Sequence, residues 1–158
     1  MTMASTAGSD AAIGKVLDVP AASPSEARDY LQRKLGCETD PYDVHHDLTA
    51  GVRGFVVVDV RRAAAYDAEH VRGAIHLSHH EMTAATLAGL DRSVVYVTYG
   101  WGPGCNGGTR GAAKLAAFGL RVKEMIGGIE YWKRGGYPVE RRRSRDEAGE
   151  ENDRGEGE

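Results

Sequence analysis

Residues 55–60, FVVVDV, form a nearly continuous run of apolar, mostly β-branched side chains. Such a run presents no polar face to water, so it demands cover on both sides, as a strand inside a parallel sheet has. A second such run, VVYVTY, fills 94–99, and RVKEMI at 121–126 reads as a third strand. AAAYDAEH at 63–70 and TRGAAKLAAF at 109–118 lie between them with helical patterning, the latter closed by Gly119. Strands alternating with helices at this spacing predict an α/β fold, with an open parallel sheet and right-handed crossovers.

The remaining elements follow from local signals. S-P-S-E at 23–26 is a capping box, with Ser23 as cap and Pro24 in the first helical position. Ala27, Tyr30, Leu31 and Leu35 follow at helical spacing, and Gly36 is expected to end the helix in a left-handed turn. A short helix after Asp40-Pro41 carries Val44 and Leu48 on one face. GAIHL at 73–77 is compatible with a strand, S-H-H-E at 78–81 predicts a helix running to about Leu87, and IEYWKRG a last helical turn or two. No internal repeat is visible.

Composition divides the chain into a loose N-terminus at 1–15, one domain at 16–139 and a tail at 140–158. Hydrophobic residues make up 41% of the chain, ordinary for a globular protein. From 140 onward Ala148 is the only aliphatic residue, so the tail cannot bury enough apolar surface to offset chain entropy. Its eight acids and five arginines account for the net charge of -3. The rest is close to neutral, and without a basic stripe no nucleic-acid partner is expected. Two distant cysteines, Cys37 and Cys105, are read as free thiols in a reducing compartment. No basic start precedes an apolar run at the N-terminus, and no segment reaches the ~20 apolar residues that span a bilayer. A cytoplasmic protein with no membrane partner is the expectation.

Ligands of open α/β sheets bind beyond the carboxyl ends of the strands. There, after Tyr99, five glycines occur among the nine residues 100–108. Glycines cost entropy, and a cradle of inward N–H groups at a helix start would give them a purpose, as an anion site. A tight connection without ligand is the alternative. A nucleotide P-loop would need Gly-Lys-Ser/Thr where Gly108-Thr109-Arg110 stands. A dinucleotide fingerprint forced onto Gly102, Gly104 and Gly107 has only Glu124 for its acidic partner. A cysteine-phosphatase loop would need one residue more between Cys105 and Arg110. The six histidines suggest metal, but adjacent histidines on a helix diverge by about 100° and nothing completes a tetrahedral set. No metal and no cofactor are expected.

FVVVDVRRAAAYDAEHVRGAIHL resembles the front half of a rhodanese domain in Asp59-Val60-Arg61, Tyr66 and His70-Val71-Arg72-Gly73-Ala74. A strand ending in tyrosine, the glycine loop, an alanine-rich helix and GGIEYWKRGGYPV at 127–139 resemble the back half. The likeness spans about 23–139. It implies a single rhodanese-like domain, a five-stranded parallel sheet flanked by helices. It also implies a sulfurtransferase that takes sulfane sulfur from thiosulfate or a persulfide onto a loop cysteine and passes it to a thiophilic acceptor.

The family's nucleophile usually follows the strand directly, where this chain has Gly100. Related loops of the form C-W-G-P-G-C-N-G carry two cysteines, and this one retains the second, Cys105. Helix-start surroundings favour a thiolate at Cys105, although a persulfide there is expected at the rim of the loop. Cys105 is thus the candidate nucleophile, with a second-cysteine or structural role as the alternative. Gly100, Trp101, Gly102, Gly104, Asn106, Gly107, Gly108, Thr109 and Arg110 form the candidate anion-binding loop. Trp101 is read as its wall, and Arg110 either draws in thiosulfate or is an exposed helix residue. Asp59 and Arg61 are expected to brace the loop, Ile129 and Trp132 to lie in the core beside a close approach at Gly127-Gly128, His70 to be structural, and Cys37 to be partly buried. Two functions remain open: an active sulfurtransferase, impaired by Gly100, or a catalytically silent module that binds an anion or a partner protein. The partner is a small sulfur-containing anion or a protein or small-molecule thiol.

Overall fold

The structure, a computed structural model, describes residues 14–142. Expectations for the extreme N-terminus and for the tail beyond 142 lie outside the described residues. The chain divides into two compact units after Arg33. In the first, the Ser23 hydroxyl accepts from Glu26 N–H, and Glu26 Oε2 accepts from Ser23 N–H at 3.1 Å, so the capping box opens α1 (Pro24–Cys37).

The second unit holds β1 (Glu38–Thr39), α2 (Pro41–Thr49), β2 (Phe55–Asp59), α3 (Ala63–Ala68), β3 (His70–Val71) and β4 (Ile75–His76). It continues with α4 (Ala84–Leu87), β5 (Val95–Tyr99), α5 (Gly107–Ala117), β6 (Arg121–Met125), α6 (Gly128–Arg134) and β7 (Val139–Glu140). Five strands form one parallel sheet in the order β1-β6-β5-β2-β4, and β3 pairs antiparallel with β7. The three strands read from sequence at 55–60, 94–99 and 121–126 are therefore neighbours in the sheet. Alternation along the strands sends Val57, Val97 and Tyr99 into one core with Val44, Met125, Ile129 and Trp132. Val58, Val60 and Tyr96 enter the other with Met82, Leu87, Leu115 and Leu120. The chain leaves β2 toward β4 on one side and β5 toward β6 on the other, which opens a crevice beyond Asp59 and Tyr99, themselves in register.

Four local expectations need correction. α1 does not end in a left-handed turn at Gly36 but runs on to Cys37. The Lys123 ammonium reaches the carbonyls of Leu35 at 2.8 Å and Glu38 at 3.3 Å, serving acceptors at the helix end. Cys37 is exposed rather than partly buried. The segment at 63–70 leaves the helix after Ala68, because His70 joins β3. Residues 78–83 are also not helical. Leu77 N–H bonds Asp59 O at 3.0 Å and His79 N–H bonds Val60 O at 3.1 Å, which holds this segment alongside the end of β2. Ser78 closes only one turn, and α4 starts later with a capping box between Thr83 and Thr86. The two-residue strands β1, β3 and β7 are too short to carry a periodic signal.

Gly111, in α5, packs directly on the strand end. A Cβ there would lie 2.6 Å from Val60 Cγ1. Alanine gains about 1 kcal/mol of helix propensity over glycine, but overpacking costs about 1–3 kcal/mol. Gly111→Ala should therefore lower stability in urea unfolding, and adding Val60→Ala should cost less in that background than alone. A Gly111→Ala protein more stable than its parent would contradict this contact.

Candidate functional site

The crevice is floored by a buried polar network. Asp59, fully buried at the end of β2, accepts from Arg61 Nε at 3.0 Å and Nη2 at 2.7 Å, and from Arg61 N–H at 2.9 Å. The Tyr99 hydroxyl donates to Asp59 Oδ2 at 2.6 Å and accepts from Val71 N–H at 3.0 Å. Burial, with the Asp59 charge, pushes the Tyr99 phenol far above its usual value. For Arg61, burial works against the charge, and Asp59 more than offsets it. Arg61 Nη2 also donates to Glu69 O at 2.6 Å, which ties the end of α3 to the sheet. The guanidinium lies 4.5 Å from the ring centroid of Trp101, so the network reaches the first side chain of the glycine loop.

The loop from 100 to 106 is clamped from below by α6. Ile129 N–H bonds Gly100 O at 3.1 Å, and Glu130 N–H bonds Trp101 O at 3.0 Å. This approach needs Gly128, with φ +57°, because a Cβ there would lie 2.6 Å from Gly100 O. Gly100, Gly102, Gly104, Gly107 and Gly108 all lack positive φ, and all but Gly104 serve proximity instead. A Cβ on Gly102 would meet Glu130 Oε2 at 2.5 Å, and one on Gly108 would meet Glu124 Oε1 at 2.8 Å.

Cys105 N–H bonds Gly102 O at 3.0 Å, which turns the loop back on itself. The Cys105 sulfur then accepts from Gly107 N–H at 3.4 Å. It lies 3.7 Å from the place where a Cβ on Gly100 would stand. Gly108 and Thr109, in the first turn of α5, have no intrahelical acceptor for their N–H groups, so the positive end of the helix faces the same region. Asn106 caps without a side-chain hydrogen bond to the backbone and instead accepts from Arg110 Nε at 3.0 Å. Arg110 is exposed.

Cys105 opens onto two cavities. One of about 880 Å³ is lined by Gly102, Gly104, Asn106 and Thr109 and by Asp40 and Glu124. The other, about 570 Å³, is lined by Arg61, Arg62, Gly100, Trp101 and His79. On the His79 of this second cavity, burial first, then His80, Lys114, Arg110 and Arg62, act to depress the pKa. As one of six histidines, His79 suggests only a metal ligand in the sequence, and nothing in the S-H-H-E stretch signals that its backbone is anchored to Val60.

The other residues singled out are structural in their surroundings. His70 Nδ1–H donates to Tyr66 O at 2.7 Å and its ring stacks on Tyr66. Trp132 is fully buried and donates to Pro138 O at 3.0 Å. His76 Nε2–H bonds Arg61 O at 2.8 Å, fixing the backbone beside the network.

The sequence profile of the rhodanese-like domain matches residues 41–135. The chain belongs to the rhodanese-like family. The thiosulfate sulfurtransferase GlpE of Pseudomonas entomophila is 37% identical over 95 residues, 59% of this chain and 83% of that protein. A crystal structure of a Bacillus halodurans protein superposes with a TM-score of 0.73 at 44% identity, covering 76% of this chain and 88% of that one. The rhodanese-like domain of an Anabaena protein gives a TM-score of 0.60 at 26% identity over 68% of this chain and 82% of its own. The five-stranded parallel sheet implied by the family resemblance is the sheet described above, and no helix among the described residues is long and apolar enough to cross a membrane.

Removing one member of the buried pair leaves the other charge without its partner, at about 3–5 kcal/mol. Asp59→Ala should lose stability of that order in chemical denaturation and should quench or shift Trp101 fluorescence as Arg61 is released. A loss below about 1 kcal/mol would mean that the loop does not depend on this pair.

Proposed function

We propose that this rhodanese-like domain is a sulfurtransferase that carries sulfane sulfur on Cys105, with Gly100 standing where the family holds its nucleophile. The observation that carries the reading is the 3.7 Å between Cys105 Sγ and the Cβ position of residue 100. A thiol delivered from the far side of the loop thus reaches the region where a side chain at 100 would begin, rather than its rim. In the first half-reaction the Cys105 sulfur attacks the outer sulfur of thiosulfate. The sulfur–sulfur bond of the donor breaks, its electron pair leaves with sulfite, and Cys105 keeps a persulfide. An acceptor thiolate or cyanide then attacks the terminal sulfur and regenerates Cys105. The N–H groups at the start of α5 and the cations around His79 suit the dianionic donor and the anionic persulfide. Free Cys37 and Cys105 accord with a reducing, cytoplasmic setting.

A second reading is favoured by Gly100 itself, which has no thiol to offer. In it the same loop binds an anion or a partner protein and transfers nothing. Intact mass after thiosulfate treatment separates the two. The expected result is one added sulfur atom mapped to Cys105, present in Cys37→Ser and absent in Cys105→Ala. Thiosulfate binding with no adduct would establish the silent module instead.

The position of Gly100 is tested by restoring the thiol. A Cβ there stands 3.0 Å from Gly108 N, so the loop must yield by a few tenths of an ångström. Gly100→Cys should raise thiosulfate:cyanide turnover, about tenfold or more, and should remain active when combined with Cys105→Ala. High turnover in the parent, lost in Cys105→Ala and not raised by Gly100→Cys, would overturn the assignment of position 100.

A further inference from the structure

The Cys105 thiol and the His79 imidazole approach one gap from two different segments. A Cβ on Gly107 would lie 3.3 Å from Cys105 Sγ and 3.7 Å from both Nε2 and Cδ2 of His79. The Nε2 edge of the ring therefore borders a space that also borders the sulfur, and that space is open because residue 107 has no side chain. Both side chains line the same cavity of about 570 Å³. The backbone of His79 is fixed on both sides of the residue: its N–H bonds Val60 O at 3.1 Å, and its carbonyl accepts from Lys114 Nζ at 2.6 Å. Its ring lies 3.9 Å from that of His80. Among the described residues, neither ring nitrogen of His79 is engaged in a hydrogen bond to the protein.

We propose that His79 is the base that takes the thiol proton of Cys105. This deepens the reading of Cys105 as the sulfur carrier and rests on it. An imidazole can do this only while neutral. Burial and the surrounding His80, Lys114, Arg110 and Arg62 hold His79 below the usual 6.5, so at pH 7 its lone pair is free. The proton balance closes within the first half-reaction. The proton passes from Cys105 to His79, and sulfite leaves with the electron pair of the broken sulfur–sulfur bond. Sulfite then takes the proton from the imidazolium, which the neighbouring cations disfavour. Thiol and thiosulfate thus become the Cys105 persulfide anion and bisulfite, and His79 returns to neutral. No side chain at residue 107 stands between the pair, and catalytic hydrogen bonds in unliganded sites often close only on reaction.

The test is the pH–rate profile of Cys105 alkylation by iodoacetamide, in a Cys37→Ser background so that one thiol reports. Alkylation needs no thiosulfate, so its outcome is separable from that of the sulfur-adduct experiment. Reaction of the parent should persist on lowering the pH until His79 protonates, below 6.5. His79→Gln should slow alkylation at pH 7 by about tenfold or more and remove that acid-side inflection. Gly107→Ala, whose methyl would occupy the gap, should act in the same direction, and His46→Gln, at an exposed position of α2, should have no effect. The His79 ring-proton titration, followed by NMR, should move in Cys105→Ala, which gives a readout independent of how well any His79 variant folds. Parent-like alkylation profiles in His79→Gln and Gly107→Ala, with a His79 titration indifferent to Cys105→Ala, would overturn the proposal. A sulfur adduct formed alongside those parent-like profiles would leave Cys105 as carrier and remove His79 from the chemistry. Alkylation that depends on His79 with no sulfur adduct would keep the pair and sink the transfer reading.

Discussion

The buried contact between Asp59 and Arg61 sets the frame on which the loop rests. A carboxylate with no solvent access is tolerable only if its lone pairs are met, and here the Arg61 guanidinium, the Arg61 N–H and the Tyr99 hydroxyl meet them. Each donor comes from a place that has to be fixed. Tyr99 is the last residue of β5 and in register with Asp59, and its oxygen also holds Val71 in β3. Arg61 reaches the carbonyl of Glu69 through Nη2 and lies over Trp101. One ionic contact thereby joins two central strands, the end of α3 and the first residues of the loop.

Above that frame the loop is shaped by the absence of side chains. Gly100, Gly102, Gly108 and Gly128 are each positions where a Cβ would stand 3.0 Å or less from another group. Their joint effect is to bring the start of α5, the start of α6 and the end of β5 to one place, with the helix dipole and free N–H groups directed there. The Cys105 sulfur enters this convergence because its own N–H bonds Gly102 O, which folds the loop inward. Cys105 then borders two cavities, one with Asp40 and Glu124 in its lining and the other with Arg62 and His79.

Much of the fold was legible in the sequence because its signals are local and strong. The apolar runs at 55–60 and 94–99 call for burial on both faces, and with 121–126 they form three adjacent parallel strands. The Ser23–Glu26 box and the Gly119 turn depend on neighbours a few residues away and formed as read. The stretch at 78–81 carried an equally clear helix signal and lost it, because Val60 O, far away in sequence, claims His79 N–H. Gly36 was read as a stop, whereas Lys123, from β6, serves the carbonyl of Leu35 near the end of α1.

The sequence by itself determined the sheet, the place of the glycine loop beyond it and the presence of one thiol within that loop. These rest on side-chain periodicity, on the conformational cost of glycine and on residue identity, none of which needs distant partners. Only the tertiary structure decided where that thiol points and what stands opposite it. The distance from Cys105 to the Cβ position of Gly100, the gap at Gly107 and the edge of His79 across it depend on three chain segments meeting. Such a meeting is fixed by long-range hydrogen bonds and close packing, which no window of sequence contains.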